Sequence, residues 1–521
     1  MKHFIGIDIG TSATKALVID AGGRFVAAAS SDHTLSQPRP GWSEQAPSTW
    51  WHAACDAARS LLNRVDPASI DGIGLSGQMH GLVLLSERAL AHAADPTHPG
   101  EPDDPLRPAI LWNDQRTADE CAHIERALGG DGGRAEMVRL VGNAALTGFT
   151  APKLLWVRAH EPGIFAQARA LCMPKDFVAL RLTGSLATDV GDASGTLLFE
   201  PARRAWSDRA LQRLGIPPSL LPPVLESTRV VGRVTRWASD RTGLREGTPV
   251  VIGSGDNMTS AVGAGVVAQG DVAAVLGTSG VIVAHADTPI PDLASTIPGR
   301  THLMCSATGA WCVTGCMLAA GGCLRWFRDT LAPGVPYASL MHEASAIAPG
   351  ADGLIFLPYL TGERCPHPDP LARAAFIGLT ARHTRAHMIR AIIEGVSFSM
   401  AQILDILRSQ GARPACIRLT GGGAKSPLWR QVLCDLAQCP LVINDCDEGP
   451  ALGAAILAGV GAGHWDSPVR AAREVVRESS RTNPGNPSAY AASRRVFESL
   501  YESLRPANEQ LSRVEHGTSP P

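Results

Sequence analysis

An α/β protein built as two similar halves is the fold class the sequence predicts, and three observations predict it. Apolar strand patterns alternate with helical ones through both halves of the chain. A strand-turn-strand unit occurs twice, as FIGIDIGTSATKALVI at residues 4–19 and VAAVLGTSGVIVAHA at residues 272–286, with GTS at the tip each time. The two tips lie about half of the 521-residue chain apart. That is the spacing of a duplicated architecture in which each half opens with a β-hairpin whose tip faces a shared cleft.

Taken in order, the first half shows strand patterns at residues 70–75, 83–85 and 109–111, and a helix at 48–64 for which Ser48, after Pro47, is the cap. Residues 86–108 turn to proline, acidic and histidine residues, the composition of a solvated loop. Residues 215–224 hold four prolines and read as a hinge. The domain boundary is set at Thr248, before the run VVIGSGDN, giving a first domain of residues 1–248 and a second of 249–485. The second half then gives a strand at 354–357, a helix at 386–407, a strand at 416–420 and a helix at 427–437. Ser426 is placed as N-cap of that last helix and Pro427 at its first position. Residues 486–521 read as a terminal helix, at 490–504, and a frayed polar tail.

Composition excludes several classes of function. Lysine plus arginine (47) nearly balance aspartate plus glutamate (49), leaving a net charge of -2 with no basic block for a nucleic-acid backbone. The 53 glycines are about a tenth of the chain, against roughly 7% on average, and ask for an explanation. Twelve cysteines are scattered without a CxxC pair, which reads as reduced core thiols in a reducing compartment and not as a zinc site. Residues 303–324 carry no charge, but their glycines and hydroxyls indicate buried core in place of a membrane span. The opening MKHFIGIDIG runs straight into a strand pattern with no signal-peptide core, so the expectation is a cytoplasmic protein.

No GxxxxGK[ST], HExxH or GxSxG occurs, which removes the P-loop, the commonest metalloprotease plan and the usual hydrolase elbow. Residues 72–77 spell GxGxxG, yet a strand pattern follows where a dinucleotide site needs a helix. What remains are small turns beside carboxylates. Asp8 precedes Gly10, Thr11 and Ser12, and Lys15 follows. Such a turn presents N–H and hydroxyl donors to an anion, and its carboxylate suits a magnesium ion held through water. Alone it reads equally as an ordinary hairpin; paired with Gly277, Thr278 and Ser279 it reads as one of two clamps on the phosphates of a nucleotide. In LTGGGAKSPLWR, Gly421, Gly422, Gly423 and Ala424 either make a tight strand-helix connection or let the backbone approach a flat adenosine. Asp256, in GSGDN, is placed to take a proton from a hydroxyl that attacks phosphorus, with an Asx turn as the plain alternative. Gln78 and His80, in QMHG, offer an amide and an imidazole for polyol hydroxyls, or are structural.

In this order the pieces resemble the FGGY carbohydrate kinases of the actin-like ATPase superfamily, and within them the bacterial xylulokinases. The likeness runs through GIDIGTSATK, GWSEQ, GQMHG, ILWND, TAPKLLW, PKDF, GDN, LGTSG, FLPYLTGER, EGV, LTGGGAKSPLWRQ and GPALGAA, covering nearly the whole chain. The resemblance implies two actin-like (ribonuclease H-like) domains around a ligand cleft, ATP and Mg2+, and a small sugar, D-xylulose, phosphorylated on its terminal hydroxyl. It implies Asp256 as general base, Asp8 as the residue that places magnesium, and Met79, His80, Asp256 and Asn257 as the sugar pocket. Thr11, Ser12, Thr278 and Ser279 become phosphate contacts and residues 421–424 the adenosine turn. No nucleic-acid or membrane partner is implied, and a homodimer is the family habit. Cys365 departs from the family pattern, which has threonine in GERTPH. A kinase of another ketose or polyol, and a non-catalytic actin-like sugar sensor, are the alternatives.

Overall fold

In the computed structural model, which describes residues 2–95, 105–293, 297–446 and 448–515, two mixed sheets carry the architecture. The strands of the first are β1 (His3–Ile9), β2 (Ala13–Asp20), β3 (Phe25–Asp32), β4 (Ile70–Gly77), β5 (Val230–Arg233) and β6 (Pro249–Gly255), in the order β5-β6-β4-β1-β2-β3. The hairpin β1-β2 is antiparallel, β1-β4 and β4-β6 are parallel, and β5-β6 is antiparallel.

The second sheet is built from β7 (Val272–Leu276), β8 (Gly280–Ala286), β9 (His302–Cys305), β10 (Trp311–Met317), β11 (Ile417–Thr420), β12 (Leu441–Asn444) and β13 (Glu478–Thr482). Its order is β9-β10-β8-β7-β11-β12-β13. The hairpin β7-β8 is antiparallel, β7-β11 and β11-β12 are parallel, and β12-β13 is antiparallel. The sequence of pairings that leads outward from the first hairpin is thus repeated by the second, and the duplication read from the two GTS turns is a duplication of topology.

By internal contact the chain divides into two compact units, Met1–Ala268 with His285–Cys312 and Glu448–Arg477, and Gln269–Ala284 with Val313–Asp447 and Glu478–Pro521. Thr248, the expected boundary, lies inside the first unit. The run VVIGSG looked like the approach to the second hairpin, but its backbone pairs in parallel with β4 of the first sheet. Each unit is assembled from separated segments, so one cut in the sequence does not describe the division.

The first sheet buries an aliphatic face. Ile5, Ile7, Ile73 and Ile252 join Trp50 and Leu61 of the helix Pro47–Leu62 and Phe177 of the helix Pro174–Thr183 in one core. On the sheet also lies the helix Gly449–Gly461, and it lies close: a Cβ at Gly6 would come within 1.9 Å of the Ala451 carbonyl oxygen, and one at Gly74 within 2.0 Å of that of Ala454. Gly72 and Gly74 of the GxGxxG string are therefore strand positions that admit a helix backbone, while Gly77 packs against Lys175 and Ile9. The same helix meets the helix Asp256–Gly263, where a Cβ at Gly453 would stand 1.9 Å from the Thr259 carbonyl oxygen.

Several local expectations change. Pro47, not Ser48, starts the first helix, and Ala46 gives it no side-chain cap. Residues 86–108 are not all loop: Ser86 accepts from the Ala89 N–H at 3.1 Å and caps the helix Glu87–Ala94. The remainder of that stretch, residues 96–104, lies outside the described residues. The terminal helix runs over Ala491–Glu515 and continues through Pro506, longer than the apolar pattern indicated. The uncharged stretch 303–324 is divided among β9, β10 and the start of the helix Gly321–Leu331. None of the twelve cysteines is bridged. Among the described residues no helix is long and apolar enough to cross a membrane.

Gly453→Ala should destabilise the first unit by about 1–3 kcal/mol, because two helix backbones must separate to admit one methyl group. Urea unfolding measures this, and an unchanged midpoint would show that the two helices do not meet.

Candidate functional site

The ends of three parallel strands make the centre of the first unit. Asp8 pairs with Ser76 across β1-β4, and Ser76 pairs with Ser254 across β4-β6. Asp256 follows two residues later as the first residue of its helix. Ser76, wholly buried, donates to Asp8 Oδ1 at 2.7 Å and meets Thr259 Oγ1 at 2.7 Å. A serine hydroxyl carries one proton, so with that proton on Asp8 the Thr259 hydroxyl is the donor to Ser76. A chain of buried hydroxyls therefore ties Asp8 to the helix that carries Asp256.

Both carboxyl groups are displaced from the ordinary range. Burial pushes Asp8 up to about 6 against the opposing pull of Ser76 and Lys15. Burial, then the negative charge of Asp8, pushes Asp256 up to about 7. Two carboxylates that repel one another fit a divalent cation. Among the described residues no group of three or more histidine, cysteine or acidic side chains is arranged to hold a metal.

Behind the strand ends sits a fully buried ionic cluster. Lys175 Nζ lies 2.6 Å from Asp176, 3.0 Å from Asp189 and 3.3 Å from Asp192. Burial alone would lower the lysine, but three carboxylates outweigh it and raise it, while burial raises Asp176 and Asp192. Ser254 and Ser227 both donate to Asp189 Oδ2, at 2.6 and 2.9 Å. The cluster anchors the end of β6 one residue before Gly255, where a Cβ would fall 2.4 Å from Met79.

The first GTS turn is held from inside. Gly10 N–H closes it on the Ala13 carbonyl at 3.0 Å. Gln45 donates to the Thr11 carbonyl at 2.7 Å and accepts from Gln78 at 2.9 Å. Thr11 Oγ1 donates to Gln78 Oε1 at 3.2 Å and accepts from Trp112 Nε1 at 3.0 Å. Gln78 is thereby consumed by the protein and does not present its amide to a polyol, which corrects that expectation. Ser12 is exposed, and Lys15 pairs with Glu448 at 2.8 Å. Asn257 reaches Met79 Sδ at 3.6 Å, and His80 stands on the same strand end with its ring 4.6 Å from that of Phe149. The first unit thus brings together Asp8, Thr11, Met79, His80, Asp256 and Asn257.

The second unit brings together the other candidates. The Gly277 and Thr278 carbonyls accept from Gly321 N–H at 2.8 Å and Gly322 N–H at 3.0 Å, so the second turn is seated on the start of the helix Gly321–Leu331. From that helix the exposed Arg325 donates to Thr278 Oγ1 at 2.9 Å. Ser279 closes the turn through its carbonyl, which accepts from Gly277 N–H at 3.1 Å. Beside the turn, Gly421 has φ +94°, and a Cβ there would strike the Leu276 carbonyl oxygen at 2.6 Å. Gly423 packs on the Leu276 side chain, Gly422 faces open space, and the Ala424 N–H returns to the Gly421 carbonyl at 3.1 Å. Ser426 caps the helix Pro427–Ala437 as expected, with Pro427 at its first position. Glu363, pushed up to about 8 by burial, accepts from Leu318 N–H at 2.9 Å and fixes the segment leading to Ala320. Cys365 is buried.

Residues 3–263 match the FGGY family of carbohydrate kinases, N-terminal domain, and residues 272–462 match the C-terminal domain of that family. The chain belongs to the FGGY family of carbohydrate kinases. The first match takes in β6 and Asp256, in agreement with the pairing of β6. The chain is 37% identical to a xylulose kinase of Escherichia coli, over 96% of this chain and 99% of that protein. It is 35% identical to a xylulose kinase of Bacillus subtilis, over 98% of this chain and 99% of that protein. The structure of a xylulose kinase from Rhodospirillum rubrum superposes with a TM-score of 0.87 at 30% identity, covering 98% of this chain and all of that one.

Sequence reasoning in this FGGY kinase did not single out Ser76, Gln45, Trp112 and Arg325, which the structure sets against the candidate residues. Trp112 is 45% exposed, unusual for tryptophan, but the sequence alone does not show exposure. The Ser76 and Thr259 hydroxyls become neighbours only through sheet register.

Asp256 moves from an ordinary 3.8 to about 7 on folding, so folding bears a cost for its ionisation. That cost is absent below about 3.8, grows through the interval and is complete above about 7. Asp256→Asn should raise the thermal unfolding midpoint more at pH 8 than at pH 5; equal shifts at the two values contradict a carboxylate raised by burial.

Proposed function

We propose that this carbohydrate kinase transfers the γ-phosphoryl group of ATP to the terminal hydroxyl of D-xylulose, giving D-xylulose 5-phosphate and ADP. The observation that carries the chemistry is the raised carboxyl of Asp256 beside Asp8 at adjoining strand ends. A base that titrates near neutrality takes up a hydroxyl proton as the O–P bond forms. The choice of sugar is supported by the near full-length relatives named for xylulose.

The hydroxyl oxygen attacks the γ-phosphorus in line, its proton passes to Asp256, and the bond from phosphorus to the bridging oxygen breaks to leave ADP. Met79, His80 and Asn257 orient the sugar, and the exposed face of Trp112 gives its carbon chain an apolar wall. The Thr11 and Ser12 backbone N–H groups and the Ser12 hydroxyl donate to phosphate oxygens, as do the Thr278 and Ser279 hydroxyls, while Gly10 and Gly277 close the two turns that present them. Lys15 adds positive charge near the first turn, shared with Glu448 in an exposed ion pair, and Arg325 adds it near the second. Residues 421–424, from Gly421 to Ala424, receive the adenosine, where Gly422 leaves the approach open. Asp8 would help to hold a magnesium ion, which when bound would supply positive charge against the phosphates. Positioning supplies most of the acceleration.

Asp256→Ala should lower turnover by about 10² to 10⁴ while ADP still binds; near-normal turnover in the folded variant would remove Asp256 from the role of base. Coupled ADP release across D-xylulose, D-ribulose, L-ribulose and glycerol decides the substrate. D-xylulose should give the highest kcat/KM. Preference for a ribulose would replace the sugar, and release with none would favour a sensor.

A further inference from the structure

His80 is held in a backbone state that side chains avoid, at φ +68°. Such a state persists where the surroundings over-determine it, and it concentrates at binding sites. The surroundings are explicit. Lys153, on the helix Thr150–His160 and wholly buried, donates through Nζ to the His80 carbonyl at 2.9 Å and to the Gly148 carbonyl at 2.7 Å. Thr150 Oγ1, from the first turn of that helix, donates to the His80 carbonyl as well, at 3.2 Å.

The two carbonyls belong to two arms of the candidate sugar pocket. Gly148 lies directly on the backbone of Trp112, where a Cβ would fall 2.2 Å from the Trp112 carbonyl oxygen. The imidazole is fixed too. His80 Nδ1 lies 3.1 Å from the Gly195 carbonyl oxygen, and a Cβ at Gly195 would strike the ring at 2.3 Å. A carbonyl only accepts, so Nδ1 carries the proton in that bond.

We propose that Lys153 is a positioning residue for the sugar: its one side-chain nitrogen, bonded to the carbonyls of His80 and Gly148, sets the spacing between the imidazole and the tryptophan arm. This rests on the reading of His80 as a sugar contact and adds the group that fixes its place. Methionine would fill the same volume without burying a polar group. What the nitrogen adds is direction, two bonds that hold a strained backbone against relaxation.

Lys153→Met in the full chain tests the proposal, with the sugar that gives the fastest ADP release by the wild type. The KM for sugar should rise, with kcat/KM for sugar falling about ten- to a hundredfold as the imidazole drifts, while KM for ATP stays as in the wild type. A lower unfolding midpoint with both KM values unchanged overturns the proposal, as does an equal loss toward both substrates. Should that variant not fold, Thr150→Val removes one donor from the His80 carbonyl and keeps the Lys153 nitrogen. Its sugar KM must rise, and an unchanged value overturns the proposal. If no sugar supports ADP release by the wild type, the kinase reading fails before any variant is made and takes this proposal with it.

Discussion

Two like charges held within reach of each other, on Asp8 and Asp256, are the constraint on which the first unit turns. Like charges in a poorly hydrated place repel, and the protein must spend packing and hydrogen bonds to keep them there. The spending is visible. Parallel register brings three strand ends level, Ser76 and Thr259 bind Asp8 to the helix of Asp256, and the cluster around Lys175 anchors β6 one residue before Gly255. A cation or a transferable proton relieves the repulsion. The repulsion built into the pair is thus the counterpart of what phosphoryl transfer to a hydroxyl requires.

Glycine serves two purposes in this architecture. In the turns near Gly10, Gly277 and Gly421 it lets the chain reverse tightly, with φ +94° at Gly421. At Gly6, Gly74 and Gly453 it lets the helix Gly449–Gly461 touch the sheet and a second helix almost backbone to backbone. The second use supports the first, since that helix meets both β1, which carries Asp8 next to its last residue, and the helix opened by Asp256. The surplus of glycine therefore reflects packing as much as turning.

How much was legible in the sequence follows from the range of the interactions. The two hairpins, the cap at Ser426 and the α/β class are written in local patterns, and these read correctly. The assignment of β6 depended on which strand its backbone would join, a pairing across more than 170 residues that local pattern does not carry. Gln78 looked like a ligand group because its partner Gln45 lies 33 positions away. The helix Glu87–Ala94 was hidden by the polar residues on its exposed side, and Lys153 by a sequence that does not show which carbonyls its nitrogen will reach. In each case tertiary contact decided what local composition left open.

The pH dependence of kcat/KM for the sugar bears most directly on the carboxylate pair, because that ratio reports the ionisation of the free enzyme. An acidic limb with its midpoint near 7 is expected, set by Asp256 under burial and the charge of Asp8. Activity should fall about tenfold per pH unit below it. A profile flat from about pH 5 to 8 would mean that Asp256 ionises as an ordinary surface carboxylate, and would contradict the site described here.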